Sequence, residues 1–174
     1  MARYYRRKFN YRKRKYNIEN RPVEFTSPNT QENGFYQNQI QIVPPTATEG
    51  VRQVARMTVT LTAKGDSGYD YPPNIYWALV YIPEGATTSS LFPNASTLFQ
   101  PSNYVLSSGI ADSDAGPIRI SSRLKKNLNA SDQIYLLTAT KGGGFSFEGL
   151  VRYAIAFHLS LIHISEPTRQ AEIS

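Results

Sequence analysis

From Arg52 to Lys64 apolar and polar residues take turns, with Met57, Val59 and Leu61 alternating with Thr58, Thr60 and Thr62. A period of two sends the first set to one face of a strand and the second to the other, and β-branched threonine favours extended backbone. Lys64-Gly65-Asp66 ends the run. Val54 is out of phase with Met57, which predicts a bulge near Ala55. No helical period of apolar residues persists anywhere for the roughly eleven residues an amphipathic helix needs, so strands dominate the fold.

Other segments follow the same pattern. Ile40 and Ile42 alternate with Gln39 and Gln41 before Pro44-Pro45 ends a half-buried strand over 37–43. Residues 75–82 are apolar or aromatic on both faces, as expected of a central strand or one that touches another subunit. Strands are also expected at 103–111, 117–124, 133–140 and 150–158, with a short one at 21–26. Eight short strands with long loops predict an all-β sandwich, and an eight-stranded jelly roll is the simplest such architecture. The loop over 86–102 is long enough for a binding or assembly role.

Charge divides the chain unevenly. Residues 1–21 carry nine basic side chains and one acidic, a net of +8, whereas 22–158 carry nine basic and ten acidic, a net of −1. The N-terminal run MARYYRRKFNYRKRK has no acidic residue, and its apolar content is aromatic. Mutual repulsion and ordering entropy oppose its folding, so residues 1–21 are expected to form a disordered arm ahead of a body over 22–158. Such an arm suits a polyanion. Arg3, Arg6, Arg7, Lys8, Arg12, Lys13, Arg14 and Lys15 can neutralise phosphates. Tyr4, Tyr5, Phe9, Tyr11 and Tyr16 among them can stack on the exposed bases of a single strand. A basic run of this kind also serves as a nuclear localisation signal.

In the body, Arg119, Ser121 and Arg123 fall on one face of a strand, and Lys125 and Lys126 extend the positive charge. Arg119, Arg123, Lys125 and Lys126 are therefore candidate phosphate ligands beside the arm, while Arg152 stands isolated in the sequence. Other chemistry is weakly supported. Asp112 and Asp114 occur where Asp and Gly ordinarily form turns, and Lys141 with the three glycines after it lacks the features of a phosphate loop. The sequons at Asn94 and Asn129 read as turn residues. The chain has no cysteine and, before residue 159, one histidine, His158. Neither a catalytic triad nor a Cys-based metal site can be assembled, so no enzyme activity and no cofactor are expected. No apolar run is long enough to span a membrane, and membrane insertion is not expected.

The last sixteen residues are set aside. Leu159 to Arg169, LSLIHISEPTR, resembles residue for residue the translation of a transposon-based sequencing adapter. Residues 159–174 are accordingly expected to be a non-native tail, in which His163, Glu166, Arg169 and Glu172 carry no function.

Four phrases of the body, VRQVARMTVTLTA (51–63), IYWALVYIPEG (75–85), FQPSNYVLSSGIADSDAGPIRISSRLKKNLNASDQIYL (99–136) and GLVRYAIAF (149–157), together with the basic arm, resemble capsid proteins of circovirus-like viruses, which have circular, Rep-encoding single-stranded DNA genomes. The resemblance implies a single jelly roll and self-assembly into a sixty-subunit icosahedral shell. It also implies arms turned inward onto a single-stranded DNA genome, import by the host nuclear machinery, residence in the virion and in the host nucleus during assembly, and no catalysis. The arm is shorter and richer in tyrosine than the longest basic arms of that family.

Overall fold

A computed structural model describes residues 16–26, 35–47, 50–64, 74–88, 104–112, 115–141 and 146–158. These contain nine strands and no helix: β1 (Asn17–Thr26), β2 (Tyr36–Val43), β3 (Val51–Lys64), β4 (Ile75–Ile82), β5 (Val105–Ala111), β6 (Ile118–Ser122), β7 (Lys126–Leu128), β8 (Gln133–Thr140) and β9 (Ser146–His158). All pairings are antiparallel. One sheet has the order β1-β9-β3-β6, with β7 also paired to β3, and the other has the order β2-β8-β4-β5.

One apolar cluster draws on both sheets, so they enclose a shared core. Met57, Val59 and Leu61 of β3 meet Ile42 of β2, Leu79 of β4 and Leu136 of β8, all fully buried. The expected alternation along β3 is thus realised, with Thr58 and Thr60 on the outer face. The central position expected for residues 75–82 also holds, since β4 lies between β8 and β5. Its second face packs separately, where Ala78, Val80 and Ile82 cluster with Leu137.

The phase conflict in β3 is resolved by a bulge. Ala55 pairs with Ala154 and Thr58 with Arg152, so Arg56 and Met57 together oppose Tyr153. Arg56 takes a φ of 52°, in the left-handed region that non-glycine residues seldom adopt. The extra residue returns Met57 to the core side and leaves Arg56 exposed. Across from it, β6 pairs with Met57–Leu61 and β7 with Arg52–Val54, so the two short strands flank the bulge along the same edge of β3.

Two expectations are corrected. Residues 17–21, assigned to the arm, belong to β1 and pair with Arg152–Ile155 and Val151 of β9. They are largely exposed and show no apolar alternation, so their order comes from backbone pairing to a neighbour rather than from burial. The strand expected over 117–124 is shortened to β6, and β7 lies beyond it where no strand was expected, which makes nine strands instead of eight. Residues 1–15 and 159–174, the sequon at Asn94, Asp114 and the glycines at 142–144 lie outside the described residues.

Arg52 ties the loops at one end of the sandwich together. It is 4 % exposed, and its guanidinium donates to the carbonyls of Pro44 (2.7 Å), Asp132 (2.9 Å), Asn129 and Ala130 (both 3.3 Å). Burial pulls its pKa below the ordinary arginine value, against the opposing pull of Tyr153 and Asp132. The Asp132 carboxylate, also buried, accepts from the Tyr81 hydroxyl (2.9 Å) and from the backbone N–H groups of Asn129 (2.7 Å) and Glu84 (3.3 Å). Asn129 therefore belongs to a closed turn, as the sequence suggested.

Candidate nucleic-acid interface

The register of the first sheet determines which side chains meet on its outer face. Asn20, Arg152, Thr58 and Ser121 form one rung from β1 to β6, and Pro22, Leu150, Thr60 and Arg119 form the next. With strands about 4.8 Å apart and residues about 3.4 Å apart along each, the Cα atoms of Arg119 and Arg152 are about 12 Å from one another. Long side chains at that separation reach a common ligand.

This face carries a groove of about 780 Å³. Four cations line it: Arg56 from the bulge, Arg119 from β6, Lys125 from the β6–β7 connection and Arg152 from β9. Its walls also include Thr58 and Thr60, and its apolar part comes from Ile18, Leu150 and Ala154. Ile18 and Leu150 are among the large hydrophobic side chains left exposed, at 55 % and 46 %. None of the described lining residues is acidic. The nearest carboxylates on this face, Glu24 and Glu148, oppose each other one rung beyond Leu150. Tyr153 lies beneath the bulge with its side chain in the core, where burial first and the charge of Glu19 second push its phenol pKa up and keep it neutral.

Of the body residues singled out from sequence, Arg119 and Lys125 converge on the groove. Arg123 is exposed beyond the end of β6 and is not among the groove's lining residues. Lys126 turns to the other side of its strand, the side of core residue Leu128, and places its ammonium 3.8 Å from the centre of the Tyr81 ring. The arm positions Arg3, Tyr4, Tyr5, Arg6, Arg7, Lys8, Tyr11, Arg12, Lys13, Arg14 and Lys15 lie outside the described residues. The first described residue, Tyr16, lines the groove and its hydroxyl donates to Gln53.

Sequence reasoning missed Arg56 and Arg152. An outward phase for Arg152 follows from the inward Val151 and Tyr153, and an exposed Arg56 follows from the bulge. Their convergence with Arg119 depends on the register of strands far apart in the chain. Asp112 is exposed just after β5, and among the described residues no group of three His, Cys, Asp or Glu side chains could hold a metal ion. No described helix is long and apolar enough to cross a membrane.

No protein-family model matches the chain, and a search of the curated proteins finds no relative.

Proposed function

We propose that this chain is a structural capsid subunit. Copies of it assemble into a small closed shell, and its basic arm packages single-stranded DNA. The observation that carries the proposal is the nesting of the strand pairs. If β6 and β7 count as one interrupted strand, the first strand pairs with the last, the second with the last but one, the third with the sixth and the fourth with the fifth. Nested pairs of this kind, folded into two four-stranded layers, are what a jelly roll requires, and viral capsid domains are prominent among jelly rolls. Lectin domains share the architecture, so fold alone does not select the function.

The charge distribution makes the selection. An arm of net +8 attached to a body of net −1 separates phosphate binding from self-association, because the near-neutral body packs against copies of itself with little repulsion. The likeness of the body phrases to circovirus-like capsid proteins adds support. In this reading the protein resides in the virion, with passage through the host nucleus during assembly, and the arm also serves as the import signal.

Electron microscopy and sedimentation of the purified chain, with and without single-stranded DNA, test the proposal. Closed particles are expected, and deletion of residues 2–15 should preserve the β circular-dichroism spectrum while abolishing DNA capture. A chain that binds DNA yet remains monomeric across a range of salt would instead be a single-stranded nucleic-acid-binding module.

A further inference from the structure

Four of the nine basic residues in 22–158 line one groove, although that segment as a whole is net −1. Cations gathered in a concavity repel one another, and a bound anion removes that repulsion. One of them, Arg56, is held in a left-handed backbone conformation that glycine would adopt without strain. Strain of this kind persists where the surrounding structure, here the bulge, holds it, and it clusters at functional sites.

We propose that the groove is a second nucleic-acid site, which binds one unpaired strand and passes it on to the arm. This rests on the reading of the chain as a DNA-packaging subunit and adds the body residues that touch the strand. Arg56, Arg119, Lys125 and Arg152 take the phosphates, while Ile18 and Leu150 meet the faces of the bases. Apolar side chains between cations match a single strand, whose bases are free to make contact; in a duplex they are paired and stacked. A groove of about 780 Å³ has room for a nucleotide or two. The opposed carboxylates Glu24 and Glu148 close one end of the track, and Tyr16 leads from the groove to Lys15 and the rest of the arm.

The test uses the full chain with its arm intact. Binding of a labelled oligothymidine and of a duplex of equal length is followed by fluorescence anisotropy over a series of salt concentrations. Each phosphate contact on a single strand contributes about 0.7 to the slope of log K against log salt. The double variant Arg119→Gln/Arg152→Gln, altered at exposed positions, should lower that slope by about 1.4. Leu150→Ser should weaken single-strand binding several-fold and leave duplex binding unchanged. Arg56→Gly should raise the thermal midpoint and lower the slope by about 0.7, a combination that a purely structural Arg56 would not produce.

Slopes unchanged in both arginine variants and single-strand affinity unchanged in Leu150→Ser, with the arm accounting for all binding, overturn the groove assignment and leave the packaging role intact. Groove variants that alter sedimentation without DNA while the slopes stay fixed identify the face as a contact between copies and also overturn it. Lowered slopes in a chain that forms no particles uphold the groove and remove the shell. A wild-type chain that binds no oligonucleotide overturns both.

Discussion

Replacing Arg52 with methionine should destabilise the fold by about 2–4 kcal/mol, and the estimate depends on two opposing effects. The guanidinium donates to four carbonyls, two of them at good distances of 2.7 and 2.9 Å and two at 3.3 Å. Hydrogen bonds from a charged donor contribute about 1.5–3 kcal/mol each, so the short pair alone accounts for about 3–6. Against this stands desolvation, the largest influence on the lowered Arg52 pKa, which methionine would relieve. Nε adds to that cost because it is buried without a hydrogen-bond partner. The net loss falls on the end of the sandwich where Pro44 and residues 129–132 meet. In a chain of this size about 3 °C per kcal/mol is expected, hence a fall of about 6–12 °C in Tm by calorimetry or circular dichroism. Arg52→Lys should recover less than half of it, since an ammonium cannot present the planar fork that reaches four carbonyls. A methionine variant as stable as the wild type would refute the reasoning and show that desolvation cancels the hydrogen bonds.

Three further outcomes are expected. A Cβ at Gly149 would clash with the Thr60 carbonyl oxygen, so Gly149→Ala must force β9 from β3 and should cost about 3 kcal/mol or more, read from chemical denaturation. A Cβ at Gly109 would lie 2.8 Å from the ring of Trp77, the chain's single tryptophan, so Gly109→Ala should shift the intrinsic fluorescence with a smaller loss of stability, because a side chain can move where backbone cannot. Burial first, and then the hydrogen bond to Asp132, push the Tyr81 phenol pKa up to about 12 from 10.0. The fold favours the protonated phenol, so its contribution is complete below about pH 10 and is lost as pH rises through about 12. Phenolate absorbance during alkaline titration should show a late-ionising tyrosine that disappears in Tyr81→Phe.

Legibility in the sequence followed burial. The strands over 75–82 and 133–140 were expected at the bounds they have, because none of their side chains is fully exposed and apolar runs with definite ends are a strong strand signal. The bulge at Ala55 could be read from a phase error between Val54 and Met57, since both must reach the core. β1 was half hidden: Asn17–Arg21 is a polar stretch whose extension is imposed by pairing with β9. β7 was hidden as well, because Lys125 and Lys126 read as a surface charge run, whereas the structure turns Lys126 onto the Tyr81 ring.

The candidate site divides along the same line. Composition and order alone determined the basic N-terminal run, the near-neutral remainder of 22–158, the absence of any cysteine chemistry and the all-β class, because charge runs and period-two patterns act locally and need no partner. Tertiary structure decided that Arg56, Arg119, Lys125 and Arg152 share one groove beside Tyr16. Those residues span almost a hundred positions of sequence, and only the antiparallel register of β9, β3 and β6 places Arg119 and Arg152 in adjacent rungs of one face, with Arg56 on the bulge and Lys125 on the β6–β7 connection beside them.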